Sequence, residues 1–160
     1  TGMPALADGS GICVDVLWGL PGVRSARWSE DLAPGLAGRE RDRANNAKLL
    51  DALLGVPAEH RGAEYRAVLA LAGPDGTILA TANGTCRGVI GTEERGTGGF
   101  GYDPLFVPEA EFGRAQGEPD EARTMSELSP AEKDAISHRG EAMRRMLPAI
   151  RDLASAGPGR

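Results

Sequence analysis

Three short stretches hold residue types that could do chemistry together. "GTGGFGYDP", residues 96–104, sets glycines ahead of Phe100, Tyr102 and Asp103. Such a glycine run lets the backbone adopt unusual angles and come close to a ligand. Phe100 and Tyr102 offer flat faces, and a base stacked on an aromatic ring gains about 1–3 kcal/mol. Asp103 offers a carboxylate to a ring N–H. The same residues would equally make a tight turn closed by two core aromatics. "KDAISHRG", residues 133–140, gathers Lys133, Ser137, His138 and Arg139. Arginine presents a rigid donor fork that suits O6 and N7 of a purine. A histidine donates to a carbonyl oxygen, and Lys133 reaches a phosphate or a base edge. On a solvated helix corner the same group is only surface charge. The third stretch, "PALADGSGICVDV", residues 4–16, leaves one acid, Asp8, beside Gly9 and Gly11.

The letters of "GTGGFG" match G-x-G-x-x-G, the dinucleotide fingerprint. That fingerprint requires a helix to open from the loop, so that pyrophosphate meets a helix N-terminus. Here Asp103 precedes Pro104, which biases it away from helix, and the fingerprint reading fails.

The elements that position these residues follow from periodicity. "PALAD" and "ICVDVL" read as two short strands joined by a Gly9–Gly11 turn. Residues 18–38 read as a loop. "ERDRANNAKLLDALLG" predicts a helix with Ala44, Leu49, Leu50, Leu53 and Leu54 on one side and Gly55 as its stop. "AEYRAVLALAG", a "PDG" turn and "TILATANGTCRGVIG" predict a hairpin, its second arm one long strand or a strand pair. A short strand follows the glycine loop, and residues 113–123 read as an exposed polar loop. In "SPAEKDAI", Ser129 is an N-cap, Pro130 suits the first helical position and Glu132 completes a capping box. That helix ends near Ile136, which leaves Ser137 and His138 free to point into a cleft. "GEAMRRMLPAIRDLA" predicts a last helix. The whole is one α/β domain with a mixed sheet and C-terminal helices.

Length and charge restrict the possibilities. The 160 residues suffice for one domain with a real core. A net charge of −5 gives no global basic field for nucleic acid or an anionic membrane, so an anionic ligand must be held by a few local cations. No apolar run approaches the ~20 residues of a membrane span, and no charged-then-apolar leader is present. Cys13 and Cys86 form no CxxC, and they read as free thiols in a reducing cytoplasm. Trp18, Trp28 and both cysteines read as packing residues, and His60 as a surface loop residue. The chain opens on Thr1 in mid-pattern, so a preceding segment is expected to be missing.

"PALAD-x-SG-x-x-VD-x-L", "PGV-x-SAR-W", "NN-x-KLL", "GTGGFGYDPLF" and "ELS-x-x-EK-x-AISHRG" occur here in order. Together they resemble the inosine/xanthosine triphosphate pyrophosphatases, the Ham1-like family, from Thr1 to about Leu153. The resemblance implies an elongated mixed α/β sheet with flanking helices, in two lobes around a nucleotide cleft. It implies a single domain over residues 1–153, a flexible tail at 154–160, and a homodimer in the cytoplasm with no nucleic-acid or membrane partner. It implies hydrolysis of ITP, dITP and XTP to monophosphate and pyrophosphate with Mg²⁺, which cleans the nucleotide pool. Phe100, Gly101, Tyr102 and Asp103 correspond to the nucleotide-binding "FGYD". Lys133, His138 and Arg139 correspond to base- and phosphate-contacting residues, and Ser10 to a substrate-contacting serine.

Two departures stand out. The family reads "ADDSG" where this chain reads Ala7-Asp8-Gly9-Ser10-Gly11, so Gly9 occupies the position of the proton-accepting, metal-associated acid. Loss of a general base costs about 10²–10⁴-fold in rate. Asp8 is the possible substitute as base and metal ligand. Neighbouring strand residues face opposite ways, so Asp8 reaches the site only if a flexible Gly9 turn redirects it. The second departure is the missing "T-G-N-x-x-K" phosphate loop ahead of Thr1. An alternative reading follows from both: an inactive remnant that keeps only the purine pocket.

Overall fold

The computed structural model describes residues 2–112 and 122–155. Its sheet has four strands in the order β1 (Ala5–Val14), β2 (Gly62–Ala72), β3 (Ile78–Ile90) and β4 (Phe106–Pro108). Every described pair is antiparallel. Among the described residues three α-helices accompany it: α1 (Gly38–Ala52), α2 (Pro130–Ile136) and α3 (His138–Ser155). This is the expected α/β class with flanking helices.

The expected Gly9–Gly11 turn does not form. β1 runs straight through both glycines and pairs residue for residue with β2, from Ala5 opposite Ala72 to Val14 opposite Ala63. Neither glycine has a positive φ. Gly11 answers a different need: a Cβ there would run into the carbonyl oxygen of Gly22 and crowd the Ser25 hydroxyl at 2.9 Å. Its bareness lets the 22–27 turn lie against the strand. The β2–β3 hairpin forms as expected. Asp75 accepts hydrogen bonds from the Thr77 backbone N–H at 3.0 Å and its hydroxyl at 2.9 Å, and Gly76 takes φ +86. The second arm is a single long strand.

Alternation along the strands separates two faces. Tyr65, Ala67, Leu69 and Leu71 on β2 and Ala82, Gly84, Cys86 and Ile90 on β3 are buried, while Arg66, Val68, Asn83 and Arg87 are exposed. The buried face carries two apolar clusters. One joins Ile12, Val14, Leu49, Leu53, Tyr65, Leu105, Phe106 and Met125. The other joins Ala67, Leu69, Leu71, Ala82, Ala142 and Met146, so α3 lies over β2 and β3. At Gly84 a Cβ would strike the carbonyl oxygen of His138, so this glycine lets the start of α3 touch the sheet.

Three expectations need correction. Leu54 and Trp18 are exposed rather than packed, because α1 ends at Ala52 and Trp18 sits on a left-handed turn. Ala154 and Ser155, expected to belong to a flexible tail, instead complete α3; residues 156–160 of that expected tail lie outside the described residues. Of the loop expected at 113–123, residues 113–121 lie outside the described residues. Its end is not loose: Ala122 is buried, and Arg123 pairs with Glu111 at 2.8 Å and Glu132 at 2.9 Å. Both cysteines are free, as expected. Among the described residues no helix is long and apolar enough to cross a membrane.

Candidate active site

A cavity of about 550 Å³ opens between the end of β1, the first turns of α1, the glycine loop and the α2–α3 corner. Ser10, Phe100, Gly101, Tyr102, Asp103, Lys133, His138 and Arg139 all line it. The fold therefore brings together the groups singled out from the sequence, although they come from three distant segments.

The corner is built by capping. Ser129 accepts from the Glu132 N–H while Glu132 accepts from Ser129, as the sequence predicts. Ser137 lines the cavity as expected, but its hydroxyl is already engaged. It is buried, it ends α2, and its hydroxyl accepts from the Gly140 N–H at 3.0 Å, which caps α3. His138 is thereby fixed as the first residue of α3. Its ring stacks on Tyr65, with centroids 4.7 Å apart and planes 5° from parallel. It is only 7% exposed, and neither ring nitrogen has a hydrogen-bond partner among the described residues. Burial, reinforced by the neighbouring Arg139 charge, pushes its pKa down to about 4. The imidazole is neutral at pH 7, with one donor and one acceptor nitrogen.

Asp103 organises the glycine loop from within. Its carboxylate accepts from the Phe100 N–H at 2.8 Å, the Tyr65 hydroxyl at 3.4 Å and the Lys133 ammonium. Gly99 takes φ +70, and a side chain there would collide with that carboxylate. Asp42 on α1 holds the other side of the loop by accepting the Gly101 N–H at 2.9 Å. Ser126 closes the base of the loop: its hydroxyl donates to Gly98 O, and its backbone carbonyl accepts from the Gly98 N–H at 3.1 Å.

The two aromatics divide. Tyr102 is buried, and its hydroxyl donates to Ser25 O at 2.8 Å, so it is a wall rather than a stacking face. Burial raises its phenol pKa above the ordinary value. Phe100 is 60% exposed, with the Lys133 ammonium 4.8 Å and the Arg139 guanidinium 5.2 Å from its ring centre. Its ring is exposed, and both cations lie over it.

At the rim, Asp8 accepts from Arg139 Nε at 2.7 Å and from the Ser10 hydroxyl at 3.0 Å. It stands on the same face of β1 as Ser10 and Ile12, so no turn is needed to redirect it. Gly9 faces the opposite way, toward open space with no atom within 4 Å. Among the described residues no three of His, Cys, Asp and Glu come together as a metal cage. Mg²⁺ is commonly held by one or two carboxylates, with waters and substrate phosphates completing its shell. Asp8 does not itself line the cavity; it borders it through Arg139 and Ser10, which do, and is the β1 carboxylate that would supply such a ligand.

The Ham1 family pattern matches residues 1–149. The chain belongs to the Ham1 family. It is 53% identical to a dITP/XTP pyrophosphatase of Anaeromyxobacter dehalogenans over 96% of this chain and 73% of that one. It is 48% identical to a dITP/XTP pyrophosphatase of Frankia alni, over 98% of this chain and 71% of the relative. A Ham1 protein of Coxiella burnetii superposes with a TM-score of 0.75 at 35% identity, over 95% of this chain and 69% of that structure. A nucleoside-triphosphatase / dITP/XTP pyrophosphatase of Mycobacterium abscessus gives 0.68 at 42% identity, over 94% and 67%. Sequence reading of this Ham1 protein missed Tyr65, Asp42 and Ser25. Tyr65 sits in a plain strand alternation and reads as core, and Asp42 in a helix reads as surface. Ser25 lies in a family-like stretch without a visible role; its hydroxyl accepts from Ile12 N–H at 2.9 Å and donates to Gly22 O, pinning β1 to the turn beside it. Asn45 of α1 fixes the same turn by accepting from the Ser29 N–H and hydroxyl, both at 2.8 Å.

Proposed function

We propose that this chain hydrolyses non-standard purine nucleoside triphosphates, ITP, dITP and XTP, to the monophosphate and pyrophosphate. The observation that carries the reading is the buried, neutral, unpartnered His138 facing a cavity beside the exposed ring of Phe100. Arg139 adds to it. Asp8 anchors its Nε, and its two terminal amines have no hydrogen-bond partner among the described residues. A purine stacked on Phe100 can offer O6 to these donors. Hypoxanthine and xanthine accept there, whereas adenine presents a second donor and leaves a buried N–H unpaired, a loss of about 1–3 kcal/mol.

Asp8 is the carboxylate of β1 on the pocket side, and we assign it the proton of the attacking water. Water oxygen bonds to the α-phosphorus, the α–β bridge oxygen leaves with pyrophosphate, and the proton passes to Asp8. A divalent cation, Mg²⁺ in our reading, would be held by Asp8 with the nucleotide's own phosphates; when bound it neutralises phosphate charge. Lys133 supplies a further cation once Asp103 shares it, and Ser10 a hydroxyl at the rim. Gly9 contributes no group. Residues 1–153 act as one domain, and a cytoplasmic homodimer is the working form. The test is Mg²⁺-dependent pyrophosphate release from ITP, XTP, GTP and ATP. Release from ITP and XTP well above ATP is expected; equal rates for all four would overturn the base reading.

A further inference from the structure

A histidine that works through one ring nitrogen is ordinarily oriented by a hydrogen bond at the other. His138 has no such bond: neither nitrogen has a partner among the described residues. The last side-chain torsion of a histidine is broad, so an imidazole without that bond can turn about it. The backbone of His138 is fixed where its carbonyl rests against the bare Gly84 of β3, but this leaves the ring plane open. Tyr65 supplies the missing constraint. Its ring lies within 5° of parallel to the imidazole, with centroids 4.7 Å apart. Parallel contact of this kind stops the ring turning and spends neither nitrogen, so both stay available to a ligand. Tyr65 is itself firmly held. It is buried, and on β2 it is paired between Ile12 of β1 and Cys86 of β3. The fully buried Phe106 packs edge-on against it, with centroids 4.7 Å apart and planes at 62°. Its hydroxyl donates to Asp103 at 3.4 Å. The sheet thus carries a fixed aromatic platform in the cavity wall, and α3 lays His138 on it.

We infer that Tyr65 is a positioning residue for base selection: its ring is the platform that sets the plane of the His138 imidazole toward the purine. The inference rests on the reading above, in which His138 meets the purine carbonyl oxygen. The stacked face carries the effect. The hydroxyl is secondary, because Asp103 is held independently by the Phe100 N–H and by Lys133. Phenylalanine keeps the flat face, whereas leucine fills much of the space without one.

The experiment measures kcat/KM for ITP and ATP, and calorimetric affinity for IMP and AMP. The proteins are wild type, Tyr65→Phe, Tyr65→Leu, Phe106→Leu, His138→Ala and the double variant Tyr65→Leu/His138→Ala. Tyr65→Leu is expected to narrow the preference for the 6-oxo purine about tenfold in both ratios, the scale of one hydrogen bond no longer aimed. Tyr65→Phe should retain the preference. Phe106→Leu removes the neighbouring core ring; it should lower the urea midpoint and leave both ratios in place. With His138 already replaced, Tyr65→Leu should change the ratios no further, because the group it positions is gone. Unchanged ratios in Tyr65→Leu would overturn the inference. So would an equal narrowing in Phe106→Leu, or a further narrowing in the double variant. The binding arm needs no turnover, so it stands whether or not ITP is hydrolysed. Wild type that binds IMP and AMP alike would remove the base reading and this inference with it; a preference for IMP kept by both wild type and Tyr65→Leu would remove the inference alone.

Discussion

His138 shows how one residue can carry both specificity and a pH signature. Its neutral ring is stacked on Tyr65 with both nitrogens unpartnered among the described residues, and in the proposed complex one N–H meets the purine carbonyl oxygen. His138→Ala should narrow the preference for ITP over ATP by about ten- to a hundredfold in kcat/KM, the range set by one unpaired buried donor. An unaltered ratio would make the ring a packing residue. The same burial sets a stability trend. The ordinary histidine pKa is 6.5, and here it falls to about 4. Below the ordinary value the unfolded chain takes up a proton that the folded chain refuses, so stability is full above pH 6.5 and declines as pH falls toward about 4. Below that both states are protonated and this contribution is flat. Urea midpoints of wild type and His138→Gln, compared between about pH 7 and pH 5, should show a steeper acid loss in wild type. Asp8 makes the other residue-scale prediction. Asp8→Asn should cut kcat for ITP by about 10²–10⁴-fold, the usual range for a lost base. KM should rise too, because Arg139 loses its anchor. Gly9→Asp meets no steric obstacle, and its carboxylate would project from the face opposite Ser10. If Asp8 takes the proton, this variant folds normally and stays within about threefold of wild type. A gain of a hundredfold or more would move the base to position 9.

At the scale of elements, the site depends on close approaches rather than on loops alone. α3 starts against β3 because Gly84 has no side chain, and Thr85 N–H donates to Glu141 of that helix at 2.7 Å. Gly84→Ala would push the His138 carbonyl away. A cost of about 1–3 kcal/mol is expected from such overpacking, read as a lower urea midpoint, with a raised KM for ITP as His138 and Arg139 move with the helix. Val68→Ala, on the exposed face of β2, is the control and should change neither. Much of this element structure was legible. The hairpin announced itself through "PDG", and α2 through "SPAE", because caps and turns are local chemistry. β1 was not. Glycines at 9 and 11 look like a turn, yet pairing with all ten partners on β2 outweighs their poor strand preference. Leu54 misled for a similar reason: helical spacing continues past Ala52, but Gly55 at φ +77 ends the helix before that side chain can turn inward. Side-chain identities at the pocket were legible as motifs; Tyr65, Asp42 and Arg41 were not, since each comes from an element whose own pattern is ordinary and joins the site only through tertiary packing.

Across the whole molecule, the cavity lies where the two apolar clusters meet. Ile12, Tyr65, Met125 and Leu128 reach it from the first, and α3, which closes the second, delivers His138 and Arg139. A nucleotide bound there touches both halves and should stabilise them together. With ITP at a hundred times its Kd, mass action adds about 2.7 kcal/mol. For a chain of this size that is an upward shift in Tm of about 5–10 °C. ATP at the same concentration should shift Tm by clearly less. The protein's charge of −5 opposes an anionic ligand, so the attraction must come from the local cations of the pocket, Arg41, Lys133 and Arg139. Added salt screens it, and at about 0.5 M the ITP shift should shrink while the ligand-free Tm moves little. Met146→Ala tests the same logic from the core: removing this buried side chain should lower Tm by the equivalent of about 2–5 kcal/mol. Its ITP-induced shift should nevertheless persist, because the ligand acts on the pocket and not on the α3 packing. A shift lost along with the core contact would instead mean that α3 must be fully seated before the pocket exists.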